Sequence, residues 1–153
     1  MSKPVAVLKR LEDSPRTLDR RLVAAYLRTV YRVQDPPFDI HIGAALPMGL
    51  QHWLDARGFE TFAFLTAENP AARILPEAEN ASRQESLRTN LLPFLPNGPY
   101  PAVHHSLNDD WPAENSWWAP GLASEQAVDL GRQYGQNALV YWRQGGEVEL
   151  WWL

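Results

Sequence analysis

The order in which helical and strand patterns follow one another limits the possible folds of this chain more than any other feature. From the N-terminus the patterns run α-β-α-β-α-β-β-α-β-β, and three of the connections between strands carry helices. The first helical pattern covers residues 14–33, and the last two strands are joined by "RQGG", whose glycines suit a hairpin turn. The order predicts an α+β domain: a single mixed, mostly antiparallel sheet, helices packed largely on one face, and a C-terminal β-hairpin.

Length and composition bound the domain count and exclude several classes of protein. The chain has 153 residues, of which 45% are apolar and 21% charged, so residues 1–153 are expected to form one globular domain. The absence of cysteine excludes disulfides, thiolate catalysis and cysteine-based metal sites. The sequence has neither a signal-peptide pattern nor an apolar run long enough to cross a membrane, and we therefore expect a cytoplasmic protein.

Positive charge is concentrated near the N-terminus. Residues 1–32 hold eight Lys/Arg and three Asp/Glu, a net charge of +5, whereas residues 33–153 hold six Lys/Arg and fifteen Asp/Glu, a net charge of −9. Such a basic segment either reaches an acidic partner or lies against its own domain. Residues 1–16 are interpreted as a flexible basic arm under the first alternative. Nucleic-acid binding is not expected, because the acidic body would repel a phosphate backbone.

A cluster of hydrogen-bonding side chains follows the strand pattern at residues 59–67. The next helical pattern, residues 77–92, has an inward face that is apolar around Leu87 and Leu91 but polar toward its N-terminus. Polar groups that face inward need partners. We therefore predict a cleft or a buried network between the strand end and the helix start. The predicted ligand-binding side chains of this region are Thr66, Glu68, Asn69, Asn80, Arg83 and Gln84.

The same side chains support two interpretations. In a ligand site, Arg83 would bind a carboxylate or phosphate through parallel hydrogen bonds, and Glu68 would act as a base or pair with Arg83. In a structural network, they would tie the strand end to the helix start, with Asn69–Pro70 forming a turn. The sequence leaves both alternatives open.

Other chemical motifs give little signal. The adjacent histidines His104 and His105 point to opposite faces of a strand and cannot chelate one ion together, although either could act as a general base. No histidine pair has the spacing of a helical metal site, so no metal is expected. No phosphate-binding glycine loop and no nucleophile elbow occurs, and we expect no cofactor.

The chain has seven tryptophans, which suggest a second class of function, namely protein–protein interaction. Trp53, Trp142 and Trp152 fall on apolar stripes and are predicted to be core residues. Trp111, with Trp117 or Trp118, is the best pair for a wall on which a ligand could stack. Exposed tryptophans and the basic N-terminal segment together would suit a protein partner or self-association.

Short motifs along the chain resemble one bacterial family. They are "AY" at residues 25–26 followed by Thr29, Tyr31 and Val33, "IG" at 42–43, "FLTAENP" at 64–70, "ENASRQ" at 79–84, "WPAE" at 111–114 and "YGQNA" at 134–138. By their joint order and spacing the chain resembles the "domain of unknown function 3293" family over about residues 24–150. The sequence departs from the pattern at Glu68, where the family usually carries Trp or Tyr.

The resemblance implies a soluble bacterial single domain and no particular reaction. It adds Gln136 and Asn137, whose amides would close the cleft opposite Asn80 and Arg83 or, alternatively, sit exposed at a helix end. We therefore predict binding of a small polar or anionic ligand in the cleft, with catalysis left open. The alternative is a non-enzymatic protein–protein interaction module that uses the basic N-terminal segment and exposed tryptophans.

Overall fold

One sheet organises the fold. The structure is a computed structural model that describes residues 7–107 and 111–153. The strands in these ranges are β1 (Leu8–Arg10), β2 (Thr29–Val33), β3 (Phe38–Ile40), β4 (Thr61–Leu65), β5 (Tyr100–Ser106), β6 (Glu114–Pro120), β7 (Ala138–Arg143) and β8 (Glu149–Trp152). They form a single sheet in the order β1-β8-β7-β4-β6-β5-β2-β3. The pair β1–β8 is parallel, and the other neighbouring pairs are antiparallel.

Four α-helices occur in the described ranges: α1 (Arg20–Leu27), α2 (Met48–Arg57), α3 (Glu77–Leu91) and α4 (Ser124–Gln133). Short 3₁₀ turns cover Pro70–Ala72 and Leu92–Phe94. The carboxylate of Asp19 caps α1 by accepting main-chain hydrogen bonds from its first turn. Helix α2 ends at Gly58, whose φ of 73° favours glycine. No described helix is long and apolar enough to cross a membrane.

The first predicted helix is shorter in the structure than its pattern suggested. It begins after Asp19 and ends at Leu27, and residues 29–33 form β2 instead. This segment is rich in β-branched residues, which favour strands, and it pairs with β5 and β3. Pairing in the sheet therefore overrides the helical spacing of its apolar residues.

The sheet is curled into a half-barrel. The main-chain N–H of Gly43, which follows the edge strand β3, donates to the carbonyl of Val148, which precedes β8, at 2.9 Å. The curl therefore brings chain segments from opposite ends of the sheet together. One side, the aromatic face, packs Phe62, Phe64 and Trp118 against α1 and α2. The other side, the α3–α4 face, packs against α3 and α4.

The predicted α+β class, the mixed, mostly antiparallel sheet and the C-terminal β7–β8 pair are confirmed. The placement of the helices differs from the prediction, since two cover each face rather than most covering one. The sequence of β4 gives the physical reason. Residues 62–65 are all buried, so both faces of this central strand are apolar and both must be covered.

The described part of the N-terminal segment lies against the domain. Strand β1 adds to the sheet edge beside β8, and the main-chain N–H of Leu11 donates to the Trp152 carbonyl at 3.2 Å. The indole of Trp152 donates to the carbonyl of Arg16 at 3.2 Å, and the ammonium of Lys9 lies 4.4 Å from the centre of the Trp151 ring. Residues 1–6 of the predicted arm lie outside the described residues.

Candidate functional site

Three side chains on one face of α3 hold the main chain that follows β4. Gln84 Oε1 accepts from the N–H of Ala67 at 3.0 Å, and Arg83 Nε donates to the Ala67 carbonyl at 2.7 Å. Asn80 Oδ1 accepts from the N–H of Asn69 at 3.0 Å. Helix positions 80, 83 and 84 lie side by side because they are three and four residues apart. The network considered from the sequence is present, and these three bonds engage main-chain groups.

Arg83 and Glu68, considered above as partners, bind different groups. The Arg83 guanidinium also donates to the Tyr134 carbonyl, so it clips the segment after β4 to the end of α4. The Glu68 carboxylate accepts from the main-chain and side-chain N–H groups of Asn115 at 3.0 and 3.3 Å. Both residues belong to the described ranges, and no ion pair joins them there. Burial raises the pKa of Glu68 against these two bonds.

The predicted polar residues separate onto the two faces of the sheet. Asn69 lies at a cavity beside the aromatic face, which we call the central cavity, whereas Glu68 and Gln84 line a groove beside α3, which we call the outer groove. The main chain leaves the extended conformation here, since Asn69 has a φ of 46°. Thr66, Asn80 and Arg83 line neither space among the described residues, and all three bond to main-chain groups.

The central cavity has a volume of about 170 Å³ and lies between α1 and the aromatic face. Its walls are Arg21, Leu22, Ala25, Tyr26, Thr29, Tyr31, Asn69, Ala72, His104, Ser106, Trp111, Pro112, Glu114, Gln136 and Asn137. Three of the predicted ligand-binding residues, Asn69, Gln136 and Asn137, are among them, and so is Trp111, the candidate for a stacking wall. Segments that are distant in the chain therefore converge on one space.

Glu114 is the acidic group of the central cavity. Its Oε2 accepts from Asn69 Nδ2 and from the indole Nε1 of Trp111, each at 2.8 Å. Burial raises the pKa of Glu114, and the two hydrogen bonds oppose this shift. Because both bonds are made to Oε2, Oε1 keeps its capacity to accept a hydrogen bond from a ligand.

His104 and Ser106 line the central cavity, and each carries a buried polar atom without a partner in the described part of the chain. Both residues lie on β5, two apart, and therefore on the same face of the sheet. The His104 ring packs edge-on against Tyr31, with 4.5 Å between ring centres, and burial lowers the pKa of His104 to about 3. The imidazole is thus neutral at pH 7. His104 Nε2 and Ser106 Oγ are buried and have no hydrogen-bond partner among the described residues.

Amide and phenol groups close the other side of the central cavity. Burial raises the pKa of Tyr26 to about 12, and the nearby side chain of Asn137 opposes this shift. Asn137 Oδ1 accepts from the guanidinium of Arg16 at 3.1 Å. Gln136 Nε2 donates to the Glu68 carbonyl at 3.1 Å. The two amides therefore join the end of α4 to the N-terminal segment and to the chain after β4.

The main chain at the edge of the central cavity is strained. Asn69, Ala71 and Ala72 have φ values of 46°, 54° and 60°. Alanine has no polar side chain that could stabilise the left-handed region by a local hydrogen bond, and this conformation costs about 1–2 kcal/mol per residue. The conformation is held by the Ala71 N–H, which donates to the Gly135 carbonyl at 2.8 Å. Strain of this kind concentrates at functional sites.

The outer groove is more open and has a volume of about 320 Å³. Its lining residues are Gln34, Glu68, Glu77, Ala81, Gln84, Glu85, Pro101, Ala102, Asn115, Ser116 and Trp117. It occupies the position at which the sequence predicted a cleft, between the end of β4 and the start of α3. The site prediction itself stays a prediction.

Sequence reasoning did not assign Tyr26, His104, Ser106 and Glu114 to the binding site. Tyr26 and Glu114 belong to the "AY" and "WPAE" motifs, which could have marked them as candidates. His104 and Ser106 are two residues apart in β5, and this spacing predicts that both side chains lie on the same face of the sheet. Four of the seven tryptophans are buried and three are half-buried. The interaction hypothesis stays a prediction.

Comparison with known proteins finds one family model that is similar to part of this chain. No curated protein and no solved structure matches the chain. The model of the family described as "Protein of unknown function (DUF3293)" matches residues 65–139. This range runs from the end of β4 into β7 and contains Asn69, His104, Glu114 and Asn137. The resemblance drawn from the motifs is confirmed over this range, in which the chain matches the model of the DUF3293 family.

Proposed function

We propose that the protein binds a small polar ligand in the central cavity. The observation that carries this proposal is the pair of buried, unpartnered atoms, His104 Nε2 and Ser106 Oγ, at a cavity on which motif residues converge. A buried polar atom without a partner costs about 1–3 kcal/mol. A ligand that forms hydrogen bonds with both atoms would remove this unfavourable free energy. In a purely structural cavity the two atoms would stay without partners.

The size and walls of the central cavity limit the ligand. An apolar cavity of about 150 Å³ holds a benzene molecule, so a volume of about 170 Å³ suits one ring with small substituents. Leu22, Ala25 and Pro112 supply apolar contacts, and Glu114 accepts from a ligand N–H or O–H. The ligand class is therefore a single-ring molecule with at least one hydrogen-bond donor.

Charge at the cavity fixes the orientation of such a ligand. Arg21 lines the cavity yet is exposed, so it lies at the solvent side. An anionic substituent would lie near Arg21 and away from the carboxylate of Glu114, because like charges repel at short range. This arrangement retains the polar or anionic ligand predicted from the sequence but moves its anchor from Arg83 to Arg21. Arg83 then has an indirect role, because its hydrogen bond to the Ala67 carbonyl holds the main chain two residues before Asn69.

A fragment screen tests this proposal. Single-ring compounds with and without a carboxylate are screened by ligand-observed NMR against the wild-type chain and against Ala25→Leu, which fills the cavity without removing a polar group. Hits are expected to bind the wild type with millimolar or tighter Kd and to lose at least tenfold in affinity in Ala25→Leu. The exposed variant Glu60→Gln serves as the control and should bind as the wild type does.

Two results would contradict the proposal. One is a screen without hits on a wild-type chain whose folding circular dichroism confirms. The other is a set of hits that bind Ala25→Leu as tightly as the wild type, which would place them elsewhere on the molecule.

A further inference from the structure

The outer groove concentrates negative charge without a matching cation. Glu68, Glu77 and Glu85 line it, and no Lys or Arg is among its described lining residues. Glu85 pairs with Arg88, with 2.9 Å between Oε2 and the guanidinium. Glu77 has no ion-pair partner in residues 7–107 and 111–153. Within the described ranges, Glu68 and Glu77 therefore make no ion pair.

Glu68 is only 8% exposed, so water solvates its carboxylate poorly and the absence of a cation is unfavourable. Its oxygens accept from the main chain and side chain of Asn115, which are neutral donors. The nearby charge of Glu77 repels it. A carboxylate withdrawn from water is stabilised best by a cation that also donates hydrogen bonds.

Gln84 supplies a second, independent observation in the outer groove. It is 7% exposed, and its Nε2 has no hydrogen-bond partner among the described residues. The orientation of the amide is fixed, because Oε1 accepts from the Ala67 N–H and a flipped amide would set two donors against each other. The groove thus lacks both a cation for its carboxylates and an acceptor for a buried N–H group.

We propose that the outer groove binds a basic peptide segment. The side chain of a Lys or Arg residue pairs with Glu68 and Glu77, and a main-chain carbonyl of the same peptide accepts from Gln84 Nε2. A basic residue within a peptide carries both required groups, whereas a simple amine carries only the cation. The site is separate from the central cavity, since α3 and β6 place it on the opposite face of the sheet.

The experiment uses the full chain labelled with ¹⁵N and three blocked peptides: acetyl-Gly-Lys-Gly-amide, its Arg analogue and its Glu analogue. Trp117 lines the groove, and its indole donates to the Gln84 carbonyl at 2.9 Å, so the indole signal reports binding. The Lys and Arg peptides are expected to shift the Trp117 indole and Gln84 side-chain signals at millimolar concentration. The Glu peptide is expected to shift neither.

A matched pair of variants on α3 separates specific from general charge effects. Glu77 and Glu79 are both exposed and both lie in the first turn of α3, but only Glu77 lines the groove. Glu77→Gln should weaken binding of the Lys peptide at least threefold, and Glu79→Gln should leave it within experimental error. Both variants keep the fold, because neither residue is buried.

Three outcomes would overturn the proposal. The first is the absence of any shift with the basic peptides, and the second is an equal shift with the Glu peptide. The third is binding of butylammonium as tightly as the Lys peptide, which would show a site for a cation alone. The Ala25→Leu variant should bind the basic peptides normally, so the central cavity and the outer groove can fail independently.

Discussion

The central cavity and the outer groove start from the same short stretch of chain but differ in almost every physical respect. Asn69 lines the first and Glu68 lines the second. The cavity is smaller, largely apolar and holds a neutral imidazole, whereas the groove is open and acidic. The main chain is no longer extended at this point, because Asn69 has a φ of 46°. Adjacent residues of one motif therefore line two different spaces.

The two regions also differ in how their main chain is held. The central cavity borders three residues with positive φ, Asn69, Ala71 and Ala72. The outer groove is built largely from regular segments of α3, β5 and β6. Strain beside the cavity must be offset by surrounding contacts, and Arg83 supplies two of them through the carbonyls of Ala67 and Tyr134.

The largest effect is expected from Arg83→Ala, because this residue supports both regions. Its loss leaves two partly buried carbonyls without a charged donor, at about 1.5 kcal/mol each, so the free energy of unfolding should fall by about 3 kcal/mol. Urea denaturation measures this change. Arg88→Ala on the same helix removes only an exposed pair with Glu85 and should cost less than about 1 kcal/mol. Equal losses in the two variants would contradict the structural role of Arg83.

A pH-dependent effect should distinguish the cavity from the groove. His104 stays neutral in the folded protein down to about pH 3, while the unfolded chain binds a proton below about pH 6.5. The free energy of unfolding therefore decreases as the pH falls from 6.5 toward 3. Between pH 7 and pH 5 the loss from this residue is about 2 kcal/mol.

Urea titrations at the two pH values measure this loss in the wild type and in His104→Gln, which lacks the titrating group. The variant should be less sensitive to acid by about 2 kcal/mol. His52→Gln, an exposed histidine on α2, is the matched control and should keep the wild-type dependence. If His104→Gln and the wild type responded equally to acid, the imidazole would not be buried in a neutral state.

Much of the fold could be predicted because periodicity and turn residues are local. The apolar positions Leu87 and Leu91 and the "RQGG" turn were sufficient to place α3 and the C-terminal pair. Residues 29–33 could not be placed this way, since their apolar spacing also fits a helix and their pairing partners in β5 lie 69 to 77 residues further along the chain. The division of helices between two faces likewise depends on the curl of the sheet, which no local pattern contains.

The candidate site could be predicted only in part for a similar reason. The spacing of Asn80, Arg83 and Gln84 correctly indicated one polar helix face next to the end of β4. Their partners were not predictable, because they are main-chain groups that carry no sequence signal. The central cavity was not predicted because its walls come from α1, β2, β5, the start of β6 and the segments after β4 and α4, which only the folded sheet brings together.

The smallest expected effect concerns Glu68. It tests whether the negative charge in the outer groove stabilises the fold or serves ligand binding. Burial and the charge of Glu77 raise the pKa of Glu68 in the folded protein. A raised pKa means that the protonated form stabilises the fold below the unfolded value of 4.5, and that this contribution disappears as the pH rises through the folded value. Glu68→Gln should therefore slightly increase the free energy of unfolding at pH 7 and leave it unchanged at pH 4.

Urea denaturation at the two pH values measures the difference. The amide Oε1 can still accept from the Asn115 main chain, and the exposed Asn115 side chain can turn its oxygen toward the new N–H group. A loss of stability at pH 7 would show that the negative charge already stabilises the free protein. An increase in the free energy of unfolding at pH 7, together with weaker binding of the Lys peptide, would show that the charge of Glu68 supports ligand binding and destabilises the fold. In that case the outer groove, like the strained edge of the central cavity, would place function above stability.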